Sequence, residues 1–135
     1  MSKTRRIAAW ILIVLIGGGL IFSAVMKLSG AAEVVKVMGE WNMADWRIPI
    51  GVVELATAIL LLIPRTHSLG LLLATAYLGG AIATHIQQGE APFAASPAIM
   101  LALLWIAGLL RHPELLVSFR HPARSSEPRP SEPRP

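Results

Sequence analysis

The sequence predicts an all-α membrane protein: a four-helix transmembrane bundle with one short interfacial amphipathic helix between spans 1 and 2. Three observations lead there. Hydrophobic residues make up 54% of the 135 residues and charged ones 15%, and the charges avoid four long segments, as they must where each segment crosses about 30 Å of hydrocarbon. The stretch joining the first two apolar runs has helical amphipathicity but too many charges to span. The basic residues gather at the chain ends and one turn, the asymmetry that orients spans in a bilayer.

Lys3, Arg5 and Arg6 precede the first apolar run, residues 7–26. A basic start followed by an apolar run also describes a signal peptide, but signal cores have roughly 7–15 residues and end at an A-x-A-like site. This run is longer and lacks such a site, so it reads as a span, with Gly17, Gly18, Gly19 and Ser23 as its packing face. Lys27 closes it and Ser29-Gly30 breaks it. The next stretch sets Val34, Val35, Met38 and Trp41 against Glu33, Lys36 and Glu40, a helix for the membrane surface, and Trp41 and Trp46 suit the interface.

Pro49 opens the second span, a position where its missing N–H does no harm. Pro64 to His67 form a tight turn, and the third span starts at Leu69. Ala76, Gly80 and Thr84 recur in it at every fourth residue, with Gly79 and Ala83 beside them, a pattern that lets helices approach closely in lipid. Gly89 to Pro97 make a loop, and the fourth span ends at Leu110. The expected domains are a membrane unit at 1–112, with spans of about 7–27, 48–63, 69–88 and 93–110, and a disordered cytoplasmic tail at 113–135. That tail, rich in Pro, Arg, Ser and Glu, carries SEPRP twice in tandem.

With four spans, nine Lys and Arg residues fall on the side of the two termini and three on the other, which puts the termini in the cytoplasm. The charge of +4 does not indicate nucleic acid, since seven of the twelve basic residues lie in the first six positions or after Phe119. The chain has no cysteine. That removes disulfide exchange, thiolate metal sites, thioether haem attachment and cysteine-ligated iron–sulfur clusters, so a redox role must depend on something bound.

Ionisable groups at membrane depth are functional candidates because desolvating them is costly. Glu54 is the clearest, with Gly51, Thr57 and Ala58 on its face. His85 lies in the same half of the membrane, Lys27 closes the first helix on that side, and Arg47 precedes Glu54 by two turns. Tyr77 can offer its hydroxyl to the same interior. The cluster is expected to be either a ligand or proton site, or a polar clasp fixing helix register. A multi-histidine metal site or doubly ligated haem is not expected, because His67, His112 and His121 fall on the other side or in the tail.

Ser23 to Leu28 at the end of the first helix, Gly51-Val52-Val53-Glu54 with Leu60 to Pro64, and Tyr77 to His85 together resemble the DoxX-like family over residues 7–112. Members often carry a glycine shortly before the lysine, where this chain has Ala24 and Val25. The resemblance implies a small four-helix protein of the bacterial inner membrane. The family takes its name from a subunit of an archaeal thiosulfate:quinone oxidoreductase, and relatives are linked to redox or stress responses. The expectation is a non-catalytic or accessory subunit that binds a small lipophile, a quinone first, at Lys27, Arg47, Glu54, Tyr77 and His85. Its expected partners are the lipid bilayer, an oxidoreductase and other copies of itself. The alternatives are an assembly protein whose Glu-His pair is only a clasp, and a small-solute carrier.

Overall fold

The computed structural model describes residues 2–117, and among them every regular element is helical. Helix α1 (Lys3–Ser29) starts where the Ser2 hydroxyl accepts the Arg5 N–H at 3.3 Å. It stops at Gly30, whose φ of 72° is one that glycine adopts without strain. Beyond it the Ala31 N–H returns to the Met26 carbonyl at 3.1 Å. Helix α2 (Ala32–Glu40) follows at once. A 3₁₀ turn at Ala44–Trp46 leads into α3 (Arg47–Leu62), which accepts Pro49 in its first turn.

Helix α4 (His67–Gln87) begins two residues before the expected start. The reason lies in the turn: the Thr66 hydroxyl donates to the Leu60 carbonyl at 2.9 Å and His67 Nδ1 to the Leu61 carbonyl at 2.8 Å. Those bonds satisfy the open end of α3 and hold the first turn of α4 in place. A second 3₁₀ turn (Ala91–Ala94) runs into α5 (Ala95–Arg111), and α6 (Glu114–Val117) is a single turn inside the stretch expected to be disordered. The SEPRP repeats lie outside the described residues.

Helices α1 and α4 each pack against both α3 and α5. Ile13 and Leu20 of α1, Leu61 of α3, Leu78 of α4 and Leu104 of α5 are enclosed between them. Trp105 Nε1 donates to Thr75 Oγ1 at 3.1 Å, tying α5 to α4. Among the described residues, three segments are long and apolar enough to cross a membrane: Lys3–Ser29, His67–Gln87 and Ala91–Arg111. Their outward faces carry large apolar side chains such as Leu15, Phe22, Leu72 and Ile99, which suit hydrocarbon and not water.

The small-residue faces behave differently from expectation. On α1, Gly17 is buried against Leu62, while Gly18 and Gly19 are exposed. On α4, Ala76, Gly79, Gly80 and Ala83 are exposed, and a methyl group added at Gly79 or Gly80 would meet nothing. The close approach of α4 to α3 occurs instead at Gly70, where an added Cβ would run into the backbone of Leu60 and Leu61. Leu71, Ala74 and Leu78 keep α4 in the core beyond that point, and the stripe beginning at Ala76 faces open space.

The two glycines therefore answer differently to substitution. Gly70→Ala is expected to lower the thermal unfolding temperature in detergent, at a cost of about 1–3 kcal/mol for an overpacked contact. Gly80→Ala is expected to leave it unchanged or raise it slightly, since alanine is the better helix former. Circular dichroism of both variants beside wild type reads the difference.

Candidate functional site

Between α2 and α4 lies a cavity of about 540 Å³, within the range of roughly 300–1,000 Å³ usual for small-molecule sites. Ala76, Gly80, Ala81 and Thr84 of α4 form one wall. Glycine and alanine at these positions keep that wall thin. The other side comes from α2, which turns Val34, Val37, Met38 and Trp41 toward the cavity. Val35, expected on the same face, is exposed, and Val37 takes its place. Lys27, Glu33, Tyr77 and His85 are the polar residues set among these apolar ones, and Ile50 of α3 completes the lining at one edge.

Beneath the cavity lies a closed polar knot. Lys27 Nζ donates to Glu54 Oε2 at 2.8 Å and to Ser23 Oγ at 2.7 Å. Glu54 is 2% exposed, so its charge depends on this partner. Gly51, one turn earlier on α3, lets the helix approach the stem of Lys27: an added Cβ would stand 3.1 Å from Lys27 Cβ. The Tyr77 hydroxyl is near enough to Glu54 to interact with it.

His85 is unlike this knot. Its ring meets Trp41 edge-on with centroids 5.2 Å apart, and Nδ1 is enclosed 3.6 Å from Glu90 Oε2 without a hydrogen bond. Neither ring nitrogen has a hydrogen-bond partner among the described residues. Arg47 does not enter the cavity. Its guanidinium donates to the carbonyl of Lys27 at the end of α1, which also accepts the Gly30 N–H at 3.3 Å. Of the five residues expected at the site, Lys27, Tyr77 and His85 line the cavity, Glu54 sits behind Lys27, and Arg47 acts as a helix cap.

A sequence model of the DoxX-like family matches residues 7–107. The chain belongs to the DoxX-like family. In this DoxX-like chain the match runs from the start of the first apolar run almost to the end of α5, so it includes every residue of the cavity and of the knot. Comparison with curated proteins and with solved structures finds no significant match.

At the opposite end of the molecule, His67 is 1% exposed and stacks on His112 with ring centroids 5.9 Å apart. Arg111 lies over the ring of Trp10, 4.3 Å from its centroid. His112 Nδ1 is 2.7 Å from Glu114 Oε1, and the backbone N–H of Glu114 together with this ring holds the carboxyl below the ordinary glutamate range. Read as a turn residue in the sequence, His67 proves to be the fully enclosed first residue of α4. The signal for this was its place directly after Thr66, where two side-chain donors meet the open end of α3.

Removing one partner of the knot exposes its dependence. Lys27→Met is expected to lower stability by up to about 3–5 kcal/mol, because the Glu54 charge is left buried and unpaired. The double substitution Lys27→Met with Glu54→Leu is expected to recover most of that loss. A double-mutant cycle on thermal unfolding in detergent measures the coupling.

Proposed function

We propose that this DoxX-like protein is a four-span membrane subunit that binds a small lipophile with a polar head in the cavity between α2 and α4, a quinone first among candidates. In this reading α3, at 16 residues, is the fourth span. It rises about 24 Å at ~1.5 Å per residue and is lengthened by the turn before it. Helix α2 lies along the membrane surface with its exposed Glu33, Lys36 and Glu40 in water. The termini are cytoplasmic, so the cavity opens in the outer half of the inner membrane of a bacterium.

The observation that carries the reading is His85: a half-buried imidazole on an apolar cavity wall, with no hydrogen bond to the protein. Its enclosed Nδ1 has Glu90 Oε2 beside it at 3.6 Å, while Nε2 is not enclosed and has no hydrogen-bond partner among the described residues. With Nδ1 turned to Glu90, Nε2 is the nitrogen left for a ring hydroxyl or carbonyl of the ligand. The anion-binding alternative is disfavoured because Lys27 is already neutralised by Glu54, while Glu33 and Glu90 add negative charge nearby. Tyr77, between the cavity and Glu54, offers a path for one of the two protons taken up when a quinone is reduced by two electrons, the other coming from the aqueous side of the cavity. The electrons would come from a partner oxidoreductase, which makes the chain an accessory subunit and not an enzyme alone.

A clasp is the second reading, and for Lys27 and Glu54 taken alone it is favoured, since Lys27 bonds both Ser23 and Glu54 within the protein. His85 separates the two. Native mass spectrometry of the protein extracted mildly from its own membrane is expected to show a retained quinone in wild type. His85→Ala is expected to lose it with little change in thermal stability. A bare wild-type protein, or a variant that loses stability and no ligand, would leave only the clasp.

A further inference from the structure

Beside the cavity, on the outward face between α3 and α4, runs a second, smaller hollow of about 230 Å³. Trp46, Pro49, Ile50, Val53 and Tyr77 line it, and its walls present no polar surface. Ile50 and Tyr77 line both hollows, so the two are neighbours across a two-residue partition. Trp46 and Val53 are 61% and 53% exposed, which places the groove on the surface that the apolar faces of the helices assign to lipid.

The reason for the groove is the geometry that makes the cavity. Tyr77 of α4 stands beside Ile50 and Val53 of α3 with its hydroxyl turned to Glu54, so the space between the two helices is divided there, the cavity on the α2 side and the groove on the outward side. Over the cavity stands α2 with Val34, Val37, Met38 and Trp41; beneath it lies the Lys27–Glu54 pair. A ligand reaching the cavity from hydrocarbon therefore has its path between α3 and α4, past Ile50 and Tyr77.

We infer that the Trp46–Val53 groove is the lateral mouth of the cavity and holds the hydrocarbon tail of the ligand whose head lies at His85. This rests on the binding reading above and adds the ligand's class: an uncharged, hydrogen-bonding head on a single apolar tail, entering from the bilayer. Tyr77 is the hinge between the two parts, its ring shared with the groove and its hydroxyl turned to Glu54.

Two photoreactive benzoquinones test it in vesicles of phosphatidylethanolamine and phosphatidylglycerol holding the full chain. One carries a diazirine on the ring, the other at the end of a decyl tail. The ring probe is expected to label the Trp41 and His85 segments, and the tail probe the segment from Trp46 to Val53. Excess unlabelled decyl-benzoquinone is expected to abolish most of both signals. Val53→Trp, which fills the groove, is expected to remove the tail label and keep the ring label. Competed ring labelling with tail labelling spread uncompeted over α1 and α5 overturns the groove and leaves the binding reading standing. Absence of competed labelling from either probe overturns both.

Discussion

A carboxylate placed among apolar helices sets the terms for the rest of this protein. Glu54 is almost completely enclosed, and a charge in that setting must be paired or the helix carrying it cannot stay where it is. The Lys27 ammonium meets the need from 27 positions away in sequence, and three local features bring it there. Gly51 removes the side chain that would hold α3 off α1, Ser23 takes a second proton of the ammonium, and Arg47 binds the carbonyl of Lys27 itself. Each is a small adjustment of backbone or side chain; together they fix the register of α1 against α3 at the end where the cavity lies.

The second constraint is a contact point. Gly70 admits the backbone of α3, and beyond it Leu71, Ala74 and Leu78 keep α4 packed in the core while Ala76, Gly79, Gly80 and Ala83 are left exposed. In a tightly packed pair of helices the same glycine and alanine content would close the interface. Here it thins one wall of a cavity, and the short helix α2 supplies the other. The knot and this thin wall are thus complementary: the first anchors α3 to α1, and the second leaves room between α4 and α2.

Most of the helices could be read in the sequence, because a span announces itself by a long run without charge, and the outlier among the charges, Glu54, announced its own importance. Its small neighbours Gly51, Thr57 and Ala58 pointed correctly to a buried face. What the pattern could not tell was the partner of each small residue. Gly70 and Gly80 look alike along the chain, yet one is a contact and the other a wall, since that depends on a crossing angle that no local spacing encodes. Arg47 was misplaced for a similar reason: a spacing of seven residues puts it on the face of Glu54, but its long side chain at the helix start reaches the carbonyl of Lys27 at the end of α1 instead. His67 was hidden by standing in a turn.

The contrast between the two polar features of the site bears most directly on what the protein does. The Lys27–Glu54 pair is satisfied from within and would persist in a protein that bound nothing. His85 is not: packed edge-on against Trp41 and 3.6 Å from Glu90, it is positioned by its neighbours without being used by any of them. Its contacts within the protein are the edge of Trp41 and, at ion-pair distance, the Glu90 carboxylate, and neither takes up Nε2. If the cavity opens to lipid as proposed, an acyl chain can also enter it. What distinguishes a specific ligand from such a chain is a head able to satisfy His85, and the knot beneath supplies a rigid, electrically neutral floor against which that head can be held.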